Sequence, residues 1–221
     1  MLRLPCNSCF RTRLVSYSRA AAVFRQYNTP AATDVGPEGS STICTANTIT
    51  ENDPIHRVNL CVGQIVSVEQ HPEANHLFIE QVNVNEEEPR TIVSGLAPYM
   101  AKESLLNKRV VVVSNMKPSR FRGVLSSGML LAASNKDSKA VELLEPSATS
   151  QIGERVQVES QHPTGEPDPV LKPKQKIFES VAQSLATDAH KVATYKGYRL
   201  VTTNDGGQPI QCKSIAHGQI S

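Results

Sequence analysis

The stretch Val58-Asn59-Leu60-Cys61-Val62-Gly63-Gln64-Ile65-Val66-Ser67-Val68-Glu69 decides the fold class. Val58, Leu60, Val62, Val66 and Val68 fall on alternate positions, which is the period of a strand with one face buried. Similar short segments follow at His76 to Val84, Thr91 to Ser94, Arg109 to Asn115, Gly128 to Ala133 and Ala140 to Leu144. Turn-forming residues separate them, notably His71-Pro72-Glu73, Glu86-Glu87-Glu88-Pro89 and Lys117-Pro118-Ser119. Short strands spaced in this way predict a small barrel or sandwich. One interruption, Tyr99 to Leu106, has helical composition and lies between the third and fourth strands, where a five-stranded OB barrel places its helix. Gly153 to Val158 reads as a last barrel strand. Aromatic residues make up only 5% and Trp is absent, so the core must be built from Val, Leu and Ile, which suits a mainly β fold.

Beyond residue 159 the pattern changes. Four prolines fall between Pro163 and Pro173. Lys174 to Leu185 then reads as a helix with Ile177, Val181 and Leu185 along one face. Short strands are expected around Val192 to Tyr195, Tyr198 to Val201 and Ile210 to Lys213. Residues 160–221 are therefore expected to form a small α+β subdomain packed on an OB barrel spanning 56–159.

The N-terminus has a different character. Residues 1–33 carry Arg3, Arg11, Arg13, Arg19 and Arg25 and no acid, although the whole chain is only +2. The remainder holds 23 − 5 = 18 basic and 21 acidic residues, so any attraction for nucleic acid must come from a local patch. Residues 1–27, rich in Arg and Ser with scattered apolar residues, have the make-up of a mitochondrial or plastid presequence. Arg25-Gln26-Tyr27 resembles a matrix-peptidase site; a basic arm that holds RNA directly has the same composition. The reading favours a mitochondrial matrix protein, with plastid and cytoplasm as alternatives. Residues 28–55 hold few large apolar side chains and read as a disordered linker.

Cys6, Cys9, Cys44, Cys61 and Cys212 do not form a disulfide framework, and a reducing compartment is the simpler expectation. Cys6-Asn7-Ser8-Cys9 lacks a second half-site, and Glu86-Glu87-Glu88 reads as a solvated turn. Neither metal nor cofactor is expected. No run of apolar residues approaches the roughly 18 that a membrane span requires, and no nucleophile elbow or phosphate loop is present. The reading is of a binding protein and not an enzyme.

The chemistry concentrates between Asn115 and Leu131. Lys117, Arg120 and Arg122 lie within six residues and can neutralise phosphates. Asn115, Ser126 and Ser127 can bond to base edges or 2′-hydroxyls, and Met129 or Phe121 can stack under an unpaired base. Gly123 and Gly128 would let RNA approach the backbone. A solvated loop is the plain alternative for the cations, and core packing for Met129. Lys102, Lys108 and Arg109 are candidate outlying contacts.

The order of these residues carries a family likeness. Asn115-Met116-Lys117-Pro118, followed by Arg122-Gly123-Val124-x-Ser126-x-Gly128-Met129, resembles the signature of the tRNA-binding domain of endothelial monocyte-activating polypeptide II. The yeast cofactor of methionyl- and glutamyl-tRNA synthetases and domains appended to some bacterial synthetases share it. Leu60-x-Val62-Gly63-x-Ile65, His71-Pro72-x-Ala74-Asn75-x-Leu77 and Val93-Ser94-Gly95-Leu96 match in the same order. Further on, Gly165-Glu166-Pro167-Asp168, Leu171-x-Pro173-Lys174-x-Lys176-Ile177-Phe178-Glu179 and Ala193-Thr194-Tyr195-Lys196-Gly197 resemble the C-terminal subdomain of the endothelial class. Phe178 stands where that class commonly has Trp, and Phe121 where it has a smaller or aliphatic residue.

The resemblance implies a non-catalytic tRNA-binding protein, a delivery or aminoacylation cofactor with a synthetase as partner. It also implies a monomeric tRNA-binding part, because in that class the appendage covers the surface that bacterial relatives use to dimerise. A general single-strand binder and an extracellular signalling polypeptide are the rival readings. The barrel segment offers few rings for a stacking platform, only Phe78, Tyr99 and Phe121, and the Arg-rich leader argues against secretion.

Overall fold

A computed structural model describes residues 48–221 apart from 136–138, 160–164 and 205. The expected presequence and the expected linker as far as residue 47 lie outside the described residues. In chain order the elements are β1 (Leu60–Gln70), β2 (Phe78–Asn83), β3 (Arg90–Ser94), α1 (Lys102–Leu105), β4 (Arg109–Val113), β5 (Ser119–Phe121) and β6 (Val124–Ser126). After them come β7 (Met129–Leu130), β8 (Ala132–Asn135), β9 (Ala140–Leu143), β10 (Val156–Val158), α2 (Ile177–Ala182), β11 (Leu185–Thr187), β12 (Ala193–Tyr195), β13 (Tyr198–Thr202) and β14 (Gln219–Ile220).

The first sheet runs β3-β2-β1-β4-β7, with antiparallel pairing throughout. It curls into a nearly closed barrel. At the seam the Ser127 amide donates to the Thr91 carbonyl at 2.9 Å, and the Val93 amide donates to Ser126 Oγ at 3.0 Å. The fold is therefore the mainly β, five-stranded OB-type barrel that the sequence predicts, with its short helix α1 between β3 and β4.

Val110, Val111, Val112 and Val113 of β4 are all fully buried. A strand buried on both faces has no polar side to alternate with, and the reason lies in two cores that share it. Val110 and Val112 join Ile65, Phe78, Val82, Ile92 and Leu105 inside the barrel. Val111 and Val113 join a second core with Leu60, Val62, Ile177, Phe178, Val181, Tyr195, Leu200 and Ile220. The C-terminal residues thus cover the outer face of β1 and β4.

They also extend a sheet. The chain leaves the barrel at Leu131, between β7 and β8, and the hairpin β8–β9 continues through β14 into the order β10-β13-β12-β11-β14-β8-β9. Gln219 and Ile220 pair with Ser134 and Ala133.

Several expectations need correction. The C-terminal helix ends at Ala182, and Leu185 opens β11 as a buried residue. A 3-10 turn at Pro173–Gln175 precedes it, and Lys176, in the left-handed region, separates the turn from the helix. Around Ile210 the described residues form isolated bridges and no named strand, from Gln211 to Glu145 and Val192 and from Pro209 to Val201. The last linker residues are ordered: Ile49 and Ile55 sit in the second core. Asp53 between them accepts from Tyr195 Oη and Lys196 Nζ, each at 2.6 Å.

Candidate nucleic-acid interface

Residues 119–126, read from the sequence as a loop, form the hairpin β5–β6. Arg122 and Gly123 occupy its turn with φ of +46° and +90°, the left-handed pair required by a tight two-residue hairpin turn. Arginine is an uncommon residue there, which hid the hairpin. The register pairs Ser119 with Ser126, Arg120 with Leu125 and Phe121 with Val124. Strand alternation then puts Ser119, Phe121 and Ser126 on one side and Arg120 with Leu125 on the other.

His71, at the end of β1, holds the hairpin against the barrel. Its Nδ1 accepts from the Glu73 amide at 3.1 Å, which leaves Nε2 to donate to the Phe121 carbonyl at 3.2 Å. The ring is almost wholly buried, so it shapes both the turn after β1 and the position of Phe121.

Beneath the hairpin runs a groove of about 1000 Å³ including its open mouth. Leu96, Met116, Met129, Leu130 and Val141 supply an apolar lining, with Phe121 and Lys117 also facing it. Phe121 is 45% exposed and Leu125 43%, so two large apolar side chains stand in solvent beside cations. Lys117, Arg120 and Arg122 are all exposed. Arg120 Nη1 donates to the Gly123 carbonyl at 3.0 Å, which fixes that side chain along the hairpin. Cations beside an exposed ring over an apolar groove are the groups that bind phosphate and an unpaired base together.

One polar wall residue has unusual support. Ser94 Oγ donates to Glu80 Oε1, and Glu80 is completely buried with its other carboxyl oxygen unpartnered among the described residues. Burial pushes the Glu80 carboxyl up to about 8, against a weaker opposing effect from the Ser94 hydrogen bond. The signal was in the sequence: Phe78, Glu80 and Val82 share one face of β2, and an acid on a core face calls for an explanation. His71, Ser94 and Glu80 were not among the predicted site residues.

The predicted residues divide into three groups. Lys117, Arg120, Arg122, Ser127 and Met129 lie on or beside the hairpin and groove; Ser127 is half-buried and Met129 lines the groove floor. Asn115 and Ser126 are buried, and their polar atoms are engaged within the fold. Asn115 Nδ2 donates to the Arg57 and Asp168 carbonyls at 2.9 and 2.8 Å, while Oδ1 accepts from the Asn59 amide at 3.0 Å. Ser126 Oγ takes the Val93 amide and donates to the Gly128 carbonyl at 3.1 Å, closing the barrel seam. Neither side chain is available to read a base.

Lys102, Lys108 and Arg109 form the third group. Arg109 is six residues from Asn115 along β4 and its extension, roughly 20 Å of strand. Lys108 pairs with Glu145 at 2.6 Å and Arg109 donates to the Ser147 and Ala148 carbonyls, so both hold the turn after β9. Lys102 is exposed on α1. The structure does not bring these three to the groove. Gly128 also has a packing role: a Cβ there would lie 3.2 Å from both Ile92 Cδ1 and the Val113 carbonyl. Gly123 meets nothing and serves the turn.

Comparison with known proteins places this architecture. Residues 60–155 match the sequence profile of the family described as "Putative tRNA binding domain". A cytoplasmic tyrosine–tRNA ligase of Gallus gallus is 43% identical over 166 residues, 75% of this chain and 31% of the ligase. The aminoacyl tRNA synthase complex-interacting multifunctional protein 1 of Mus musculus is 43% identical over 150 residues, 67% of this chain and 47% of that protein. This chain therefore spans about a third to a half of the length of these curated relatives. The crystal structure of the C-terminal domain of Plasmodium vivax p43 superposes with a TM-score of 0.70 at 34% identity, covering 76% of this chain and 98% of that domain. The barrel, its hairpin and the sheet built onto it are thus shared with a relative across that relative's whole domain, and the chain belongs to the tRNA-binding domain family of the endothelial monocyte-activating polypeptide II type.

Proposed function

We propose that this chain is a non-catalytic tRNA-binding protein that delivers tRNA to an aminoacyl-tRNA synthetase inside the mitochondrion. The observation that carries the tRNA reading is the groove beneath β5–β6, lined by Lys117, Phe121 and the Met129 floor, with Arg120 and Arg122 exposed on the hairpin above it. The cations neutralise ribose-phosphate, and the groove accepts one unpaired base of a folded RNA. Holding tRNA near a synthetase raises its local concentration without any new catalytic group. The ligase and complex-interacting relatives support synthetase association. The matched residues make up about a third of the ligase, which is consistent with a binding module without the ligase reaction.

Replacing Lys117 and Arg122 together tests the site. With unfractionated tRNA, the slope of log affinity against log salt should become shallower by roughly 1.4–1.8, two phosphate contacts at about 0.7–0.9 each. Unchanged affinity and slope would remove the hairpin from the interface. Competition by an unstructured RNA oligonucleotide as effective as tRNA would favour a general single-strand binder instead.

Mitochondrial action rests on the Arg-rich, acid-free residues 1–27. N-terminal sequencing of the protein from purified mitochondria should find a start near residue 27. Recovery of intact Met1 in the cytosol alone would refute it.

A further inference from the structure

Two acid-free segments of this chain meet. Between Glu103 and Asp137 there is no Asp or Glu, and Lys117, Arg120 and Arg122 lie in that interval. Between Asp168 and Glu179 there is again no acid, and Lys172, Lys174 and Lys176 lie there. The remainder of the chain beyond the leader is net negative, so neither segment follows from composition.

The structure joins them at Asn115. The Leu171 amide donates to the Asn115 carbonyl at 2.8 Å, one residue before Lys172 and two before Lys117. The Asn115 side chain bonds the Asp168 carbonyl, and Asp168 is itself held by Arg57 at 2.6 Å. Arg57 also donates to Gln175 Oε1 at 3.0 Å. The acid that opens this segment is thus already paired, and residues 168–175 are fixed at both ends, through Asn115 and Arg57. The bonds along this path hold the Cα atoms of Lys117 and Lys172 no more than about 18 Å apart.

Lys172, Lys174 and Lys176 are all exposed. Leu171, Ile177 and Phe178 around them are buried, so the segment is anchored by its apolar residues and presents its lysines to solvent. The 3-10 turn begins at Pro173, and Lys176 sits in the left-handed region at φ +49°. A conformation unfavourable for lysine persists here because the packing on either side requires it. The result is a rigid cationic segment on the appended subdomain, outside the residues that the family profile matches.

We propose that Lys172, Lys174 and Lys176 are RNA-phosphate contacts, and that they continue the hairpin's cationic surface across the junction onto the C-terminal subdomain. This rests on the tRNA reading above and extends it. One folded RNA would be gripped by both parts of the chain, with the Asn115 knot setting the spacing between the two groups of cations.

The test uses the full chain and unfractionated tRNA, with affinity measured across a salt series. K172Q/K174Q/K176Q should make the log–log slope shallower by roughly 2–3, three contacts at about 0.7–0.9 each, and leave the thermal melt unchanged. K172R/K174R/K176R should retain the slope. As a control, K191Q/K213Q removes charge beside the Glu145–Gln211 bridge, towards the far end of β4, and should move the slope little. If the triple Gln variant keeps the wild-type slope while the Lys117 and Arg122 variant loses part of it, the extension is wrong and the tRNA site stands. An equal loss per charge in the control would reduce the effect to net charge and overturn the proposal. Absence of salt-dependent tRNA binding by the wild type would sink both readings.

Discussion

At the scale of single residues, Glu80 gives the sharpest consequence. Its carboxyl is raised from 4.5 to about 8 by burial, so the folded protein holds a proton there that the unfolded chain releases near pH 4.5. The folded state binds more protons between those values, and stability falls as pH rises from about 4.5 to 8 before levelling off. Glu80→Gln keeps the shape and an acceptor for Ser94 but cannot ionise. It should match the wild type at pH 4.5 and exceed it by on the order of a few kcal/mol at pH 8. Denaturant titrations at the two pH values check this, and a wild-type stability that is flat across the range would mean Glu80 is not held protonated. Asn115 makes a related point about reading chemistry from residue type. An amide within a basic stretch suggested base recognition, but its three hydrogen bonds join Arg57, Asn59 and Asp168, and only tertiary structure reveals such partners.

At the scale of elements, the hairpin β5–β6 separates two kinds of contribution to binding. Phe121 is neutral and faces the groove, whereas Lys117 and Arg122 carry charge. Phe121→Ala should weaken tRNA binding by about 1–3 kcal/mol, the range for loss of one base stack, with the salt slope preserved. A slope change in this variant would mean that the hairpin itself had moved. His71→Ala provides the contrast: it removes the bond to the Phe121 carbonyl and a buried ring, so it should lower both stability and affinity. Strand β2 was legible because Phe78, Glu80 and Val82 alternate on its core face, whereas in β1 the alternating Leu60 and Val62 belong to the second core, Cys61 and Ile65 face the barrel core, and Val66 is exposed. Val110 to Val113 looked like a continuous apolar run for the converse reason, burial on both faces. The hairpin was not legible because a turn through Arg122-Gly123 lacks the Asn-Gly or Asp-Gly signal. The end of the C-terminal helix was missed because Leu185 fits the helical spacing of Ile177 and Val181 while belonging to the next strand. The cations of the candidate site stand out in the sequence by their clustering, but Lys108 and Arg109 were assigned by sign alone, and their partners across the 145–148 turn depend on long-range folding.

At the scale of the whole molecule, the described residues behave as one unit because the second core draws on both parts, and its N-terminal edge begins earlier than composition suggests. Ile49 and Ile55 are buried in that core, and Asp53 between them accepts from Lys196, Tyr195 and the Ile55 amide. Burial alone would raise the Asp53 carboxyl, but these hydrogen bonds, led by Lys196 and Tyr195, outweigh it and hold the group below its usual range. Its contribution to stability is therefore present above the ordinary pKa of 3.8 and is lost as pH falls below it. Asp53→Asn should be less stable than the wild type at pH 7, by about 2–3 kcal/mol given that Lys196 retains some access to water, and the gap should narrow below pH 3.8. Removing the whole strap should be worse. A chain beginning at Val58 loses two buried isoleucines and leaves the Tyr195 hydroxyl without Asp53, a cost of about 4–8 kcal/mol and a large share of the roughly 5–15 kcal/mol that stabilises an ordinary domain. A chain beginning at Thr48 keeps all of these contacts. Thermal melts of the two truncations should therefore differ by roughly 8–30 °C, and equal melts would show the strap to be dispensable. The same comparison bears on the proposed processing: a cut near residue 27 would leave the strap intact, whereas a cut beyond Ile55 would release a protein at the margin of folding.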